Sequence, residues 1–289
     1  MSHQPPTRLG IITKPNEPRA ASLAAAIAEW AANHEINLFV TDRVKDLPPG
    51  TFSASARDIA DSCDLLIVLG GDGTMIATAR LVAGKGTPVL GVNLGTLGYL
   101  AEFSSEESIP ALELVIRGDY QLDRRMMLDW SVLRDGDQVG SGTALNDVVV
   151  NKSAIARIIE IDCTADLHQV TTYRADGLIV ATPTGSTAYN LSAGGPIIAP
   201  GTEAISIAPI CPHTLTNRPL VLPFYTRIKL KLKTGEQEVM LTSDGQIGLP
   251  LTSEDVIEIV KSEKTFNTIA PKDRDYFEVL RSKLKWSGR

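Results

Sequence analysis

The stretch 65-LLIVLGGDGTMIATAR-80 decides the fold. Its first five residues are apolar without interruption, as in a strand covered on both faces, and Met75, Ile76, Ala79, Leu81 and Val82 then recur near helical spacing. Between the two patterns lie Gly70, Gly71, Asp72 and Gly73, so the unit reads strand, tight turn, helix. Glycine lets main-chain N–H groups approach a ligand, and a helix N-terminus adds unpaired donors and partial positive charge, which together suit phosphate. Asp72 is the odd element. Its charge repels phosphate unless a metal ion intervenes or the carboxylate faces a hydroxyl, which makes it a candidate base. A plain helix-capping or turn-shaping role explains the motif as well.

Outward from this unit the grammar repeats. Upstream lie a strand 8-RLGIIT-13, a helical 17-EPRAASLAAAIAEWAANH-34, a strand 36-INLFVT-41 and a Pro/Gly-containing connection. Downstream, 87-TPVLGVNL-94 runs into a second glycine turn, 95-GTLGYL-100, and Ser104 with Glu107 forms a capping box for the helix in 105-SEESIPALELVIRG-118. This alternation predicts a doubly wound parallel sheet with both glycine loops at the carboxyl ends of its strands, where such sheets bind ligands.

After about residue 120 the period changes to two. The segments 129-DWSVLRDGDQVGSG-142, 155-IARIIEID-162 and 226-TRIKLKLKTGEQEVMLTSDG-245 alternate and are punctuated by DG, TG and SDG turns, predicting a β-rich second domain. The closing 273-DRDYFEVLRSKLKW-286 reads as an amphipathic helix with Tyr276, Phe277, Val279, Leu280, Leu284 and Trp286 available for burial, expected to pack back on the first domain. The expected division is therefore 1–120, 121–268 and a C-terminal helix within 269–289.

Composition narrows the function. A chain of 289 residues that is 43% hydrophobic holds a substantial core, and a net charge of −6 without a long run of one sign gives no footprint for nucleic acid or an anionic membrane. Cys63, Cys163 and Cys211 are dispersed and lack CxxC spacing, which argues against a disulfide framework or a thiolate zinc site. The start MSHQPPTRLGIITK carries no export signal, and no apolar run approaches membrane-spanning length, so a cytoplasmic protein is expected.

Neither GxGxxG nor GxxxxGK[ST] is present at the required spacing, so nucleotide chemistry rests on other groups. The richest is 174-RADGLIVATPTGSTAYNLSAGGP-196. There Asp176 can accept from ribose hydroxyls, Thr184 and Thr187 can donate or accept, and small Ala188 beside Tyr189 permits a flat approach by a base. Residues 187–192 can open a short helix. In 143-TALNDVVVNK-152, Asn146 and Asp147 together can read an adenine edge and sugar hydroxyls, although a turn explains the pair equally well. Arg157 and Arg174 can neutralise phosphate, and Gln246 is an amide beside a turn.

The combination of GGDGT at 70–74, GVNLGTLGYL at 91–100, LND at 145–147 and DGLIVATPTGSTAYNLSAGGP at 176–196 resembles bacterial NAD kinases, as do PHTLTNRPLV at 212–221 and PKDRDYF at 271–277. The likeness runs through most of the chain. It implies a Rossmann-like α/β N-terminal domain and an all-β, sandwich-like C-terminal domain. The implied reaction transfers a phosphoryl group from ATP, or possible polyphosphate, to the adenosine ribose 2′-hydroxyl of NAD. Mg²⁺ or another divalent cation would arrive with ATP. By the same likeness Asp72 orients or deprotonates the hydroxyl and Gly73 adds a backbone contact. Asn146, Asp147, Asp176, Thr187, Ala188, Tyr189, Asn190, Leu191 and Ser192 fall on NAD-binding positions, and Arg157, Arg174 and Gln246 on more variable ones. Asp147 stands where many members carry the longer Glu. A homodimer or homotetramer is also implied, with 226-TRIKLKL-232 as a segment able to pair between subunits. Two rivals remain: a lipid kinase sharing GGDGT, and a noncatalytic dinucleotide sensor.

Overall fold

The computed structural model describes residues 5–14, 17–41, 50–95, 98–153, 157–233, 238–271 and 275–286. The connection at 42–49, Thr96 and Leu97 of the second glycine turn, the start of the 155–162 segment and the TG turn at 234–235 lie outside them. The chain forms two compact units, Met1–Arg124 with Phe266–Arg289, and Arg125–Thr265.

In the first unit the order is β1 (Arg8–Thr13), α1 (Pro18–Asn33), β2 (Asn37–Thr41), β3 (Thr51–Ala54), α2 (Ala56–Ser62), β4 (Leu65–Leu69), α3 (Asp72–Val82), β5 (Val89–Val92) and α4 (Ser108–Ile116). The strands are parallel in the order β5-β4-β1-β2-β3. Every residue of β4 and β5 is buried, which is why neither shows the alternation of a half-exposed strand. Leu9, Ile11, Ile67 and Leu90 share one core with Ile27 of α1 and Leu112 of α4. Alternation turns Gly10 to the opposite face, where it lies under Ile59 of α2. The sheet is therefore covered on both sides. The capping box forms as expected: Ser104 N–H donates to Glu107 Oε2 (2.7 Å) and Glu107 N–H to Ser104 Oγ (3.3 Å). The sequence reading missed β3 and α2; the signal was Ser55, which accepts from Asp58 N–H at 3.2 Å and caps α2.

The second unit is built from antiparallel strands. After β6 (Gln121–Arg134) come β7 (Asp137–Ala144), β8 (Asp147–Lys152), β9 (Ile159–Ala165), β10 (His168–Ala175), β11 (Gly177–Ala181), a 3₁₀ turn Gly185–Thr187 and α5 (Tyr189–Ser192). Then follow β12 (Ala204–Ile210), β13 (Leu220–Pro223), β14 (Ile228–Leu232), β15 (Val239–Ser243), β16 (Ile247–Leu251) and β17 (Val256–Ala270), after which α6 (Tyr276–Leu284) belongs to the first unit. One sheet runs β13-β12-β11-β8-β15-β16, and β10-β9-β14-β17 with the β6–β7 hairpin forms the other. Val148, Val150, Leu178 and Val180 of the first meet Ile161, Leu230 and Ile257 of the second in one core. This is a sandwich. The reverse face of the first sheet carries Val149, Ile179, Ala181 and Ala208.

Two expectations are corrected. Segment 226–232 has no free edge for a second subunit, because β14 is hydrogen-bonded to β9 on one side and β17 on the other. In α6, Val279 and Leu280 are buried, but Phe277 is 61% exposed, since the helix presents only a narrow apolar face inward, and Trp286, two residues past its end, is 58% exposed. The final residues of β17 return to the first unit, where Thr268 pairs with Val89 of β5.

Candidate active site

In the first unit, β4 ends at Leu69 and α3 begins on Asp72, with Gly71 in the N-cap position. Asp72 does not cap its own helix. Its carboxylate crosses to the second glycine turn, accepting from Tyr99 N–H at Oδ2 (3.0 Å) and from Leu100 and Ala101 N–H at Oδ1 (3.0 and 3.2 Å). A β-carbon on Gly98 would stand 2.2 Å from Asp72 Oδ1, so the close approach needs glycine there. Of the roughly four lone-pair sites on a carboxylate, three are engaged, leaving about one for a hydroxyl or a hydrated cation. Asp72 thus faces a cleft of about 320 Å³ lined by Gly70, Gly71, Asn93, Gly95 and Gly98, with Lys14 and Arg19 on one border and Lys283 of α6 on another. Arg19 is paired with Glu17 at 3.1 Å. Gly73 is exposed one residue into α3. Small residues, a helix N-terminus and cationic side chains make a cleft suited to a polyphosphate chain.

In the second unit the sequence-selected residues divide between the two ends of β8 and β11. Asp147 is level with Ala181, whereas Asn151 is level with Gly177. Four strand steps, about 13 Å, separate these ends. At the first end sit Asn146, Asp147, the 182–192 segment and the β15–β16 turn containing Gln246. At the other end Asp176 lies 3.6 Å from Lys152 Nζ, and Arg174 pairs with Glu160 at 3.1 Å. Arg157 is exposed two residues before β9.

The first end is tightly framed. Thr182 N–H donates to Asn146 O (2.8 Å) and its hydroxyl to Leu145 O (2.6 Å). A β-carbon on Gly185 would meet Asn146 O at 2.0 Å, so the 3₁₀ turn lies directly on the backbone beside Asp147. Asn190 is fully buried; its amide donates to Ser186 O and Pro196 O and its carbonyl accepts from the Ser206 hydroxyl. It frames the loop from within. Thr184 is buried, Thr187, Ala188 and Leu191 are half-buried, and Tyr189 and Ser192 are exposed on the four-residue α5. Asp147 is buried. Burial, then the charge of Asp244, raises its pKa to about 7.

Asp244, like Gly98, escaped the sequence reading. It takes a left-handed backbone (φ 53°) ahead of Gly245 (φ 62°), and its carboxylate accepts from the main-chain amides of Leu145 (3.0 Å), Asn146 (2.6 Å) and Asp147 (3.2 Å). The Asp-Gly dipeptide signalled the turn but not this reach.

Residues 9–120 match the ATP-NAD kinase N-terminal domain and residues 145–270 the ATP-NAD kinase C-terminal domain. The chain belongs to the ATP-NAD kinase family. Among the family's curated members it is 48% identical over 286 residues to the NAD kinase of Citrifermentans bemidjiense, covering 98% of this chain and 99% of that one. It is 46% identical over 283 residues to the NAD kinase of Syntrophotalea carbinolica, with the same coverage. Among solved structures, yeast NADH kinase complexed with NADH superposes with a TM-score of 0.89 at 28% identity, over 99% of this chain and 89% of that one. An Archaeoglobus fulgidus NAD kinase in complex with ATP shares the fold, with a TM-score of 0.77 at 23% identity over 97% of this chain and 100% of that one. Among the described residues no helix is long and apolar enough to cross a membrane, and no group of three or more His, Cys, Asp or Glu could hold a metal ion.

Proposed function

We propose that this protein is an ATP-dependent NAD kinase that converts NAD to NADP. The observation that carries this reading is family membership over both units, with Asp72 set in a glycine-walled, cation-bordered cleft. In the reaction the adenosine ribose 2′-oxygen bonds to the γ-phosphorus of ATP as the bond to the bridging oxygen breaks and ADP leaves. Asp72 keeps a lone pair for the 2′-hydroxyl and orients it or takes its proton, while the amides of residues 99–101 hold the carboxylate in place. Phosphoryl transfer asks chiefly for such positioning and for charge neutralisation, which Lys14 and Lys283 can supply toward phosphate.

A divalent cation fits this donor set as a guest of the nucleotide rather than of a protein cage. Mg²⁺ keeps several waters and takes one or two carboxylates plus phosphates, and Asp72 is a carboxylate of that cleft. The cation would neutralise charge on the transferring phosphates. For NAD, the first-end residues Asn146, Asp147, Thr184, Thr187, Ala188 and Tyr189 supply polar and flat contacts, supported from within by Asn190 and flanked by Leu191, Ser192 and Gln246. Asp176, Arg174 and Arg157 are the groups for a more distant part of the dinucleotide or its phosphates. The proposed functional domains are 1–120 and 121–268, with the helix in 269–289. Three unbridged cysteines accord with a reducing, cytoplasmic setting.

The test is NADP formation from NAD and MgATP, read through an NADP-specific dehydrogenase, with Asp72→Asn alongside. Loss of a positioned base is worth roughly a hundred- to ten-thousand-fold in rate. The variant is expected to lose turnover on that scale with a much smaller change in NAD affinity. Wild-type turnover in Asp72→Asn would remove Asp72 from the chemistry, and no product from folded wild type would remove the kinase reading.

A further inference from the structure

We propose that Asp244 is a positioning residue for dinucleotide recognition, acting on Asn146 and Asp147 through the three main-chain amides it holds. The inference rests on the reading of those two residues as NAD contacts. The turn carrying Asp244 and the strand entry carrying Asn146 and Asp147 are distant in sequence, and the pairing of β15 with β8 brings them together. The lock is reciprocal: Asp244 N–H donates to Asp147 O at 2.9 Å, while the Asp244 carboxylate gathers the amides of residues 145–147. Three consecutive amides on one carboxylate fix the backbone and so the directions in which both side chains leave it. On the other side of the same backbone, Thr182 N–H and the close-lying Gly185 hold Asn146 O. The pair is thus gripped from two elements, and only one of them carries charge.

That charge has a second consequence. Asp147 pairs with Ala181 at the end of β11, and the charge that acts on its carboxyl is that of Asp244 from the β15–β16 turn. Burial and the Asp244 carboxylate both oppose its ionisation, holding it near neutrality at about 7. Ribose hydroxyls donated to Asp147 would favour the ionised form, so nucleoside binding releases a proton. Affinity for NAD then weakens as pH falls through that range. Removing the Asp244 charge makes Asp147 easier to ionise and moves the weakening to lower pH.

The experiment is calorimetric titration of NAD into wild type, Asp244→Asn, Asp244→Ala and Asp147→Asn between about pH 6 and about pH 8, a window bracketing the neutral range. Asp244→Asn keeps an oxygen for two of the amides and loses the charge. Its acid limb is expected to move to lower pH, with a several-fold weaker affinity at the alkaline end. Asp244→Ala is expected to weaken NAD binding by more than about tenfold, equivalent to about 1.4 kcal/mol. In steady-state assays both should raise the KM for NAD more than they lower kcat. Asp147→Asn should bind without pH dependence. A flat wild-type profile overturns the proposal whether or not the variants fold. So does Asp244→Asn with the wild-type pH dependence and affinity. Absence of any NAD binding by folded wild type would instead strike the underlying reading of the site.

Discussion

Asp72 and Asp244 solve one problem twice. Each is a carboxylate beside glycine, and each accepts from three consecutive amides of a separate segment. The sequence marks both as turn residues, because the glycines are local, but their partners are set by which strands become neighbours. Asp147 shows the energetic cost of such a site. In the unfolded chain its carboxyl ionises at about 3.9, whereas in the native state it does so at about 7. Below the lower value both states are protonated and the group is neutral to stability. Between the two values the native state holds the extra proton, so stability falls as pH rises, and above about 7 the full penalty of a buried, repelled charge is present. Asp147→Asn is therefore expected to be more thermostable than wild type at about pH 8 and to converge with it toward about pH 4. Thermal unfolding across that range checks it; a gap that widens toward acid would contradict the sign.

At the scale of elements, the close approach of the 3₁₀ turn Gly185–Thr187 to the start of β8 is the joint most sensitive to volume. A methyl group at Gly185 would overlap a backbone carbonyl, which cannot turn aside as a side-chain end can. Gly185→Ala is expected to cost about 1–3 kcal/mol in urea unfolding, the range for overpacking a filled interior, and to weaken NAD binding. An unchanged midpoint would show that the turn can lift away freely. Legibility differed among elements for physical reasons. The long helices α1 and α3 and the fully buried β4 announced themselves through periodicity and composition. The four-residue β3 carries too few residues, only partly buried, to show any period.

For the molecule as a whole, the consequential feature is that the first unit is discontinuous in sequence. Chain leaves it near Arg124 and returns at Phe266. Phe266 is fully buried, and Ile269 belongs to the core shared by α1, α4 and the parallel sheet. The first unit is therefore completed by residues distant in sequence from the rest of it. Phe266→Ala is expected to destabilise the protein by about 3–5 kcal/mol, as large-to-small changes at filled aromatic sites do. Chemical unfolding measures it; a loss below about 1 kcal/mol, the size of one buried methylene, would mean that the returning strand contributes little to that core.

By itself the sequence determined what is local: the βαβ period, the two glycine turns, the switch to alternation after about residue 120, and motifs specific enough to point to a kinase family. Those features depend on neighbours a few residues apart. Tertiary structure alone decided which residues share an end. It placed Asp72 on the amides of residues 99–101 and Asp244 on those of 145–147, buried Asn190 inside its own loop, and paired both edges of β14. It also set Asp176 at the opposite end of β11 from Asp147, although the sequence offered both as ribose acceptors. Strand pairing and register fix these distances, and no spacing along the chain encodes them.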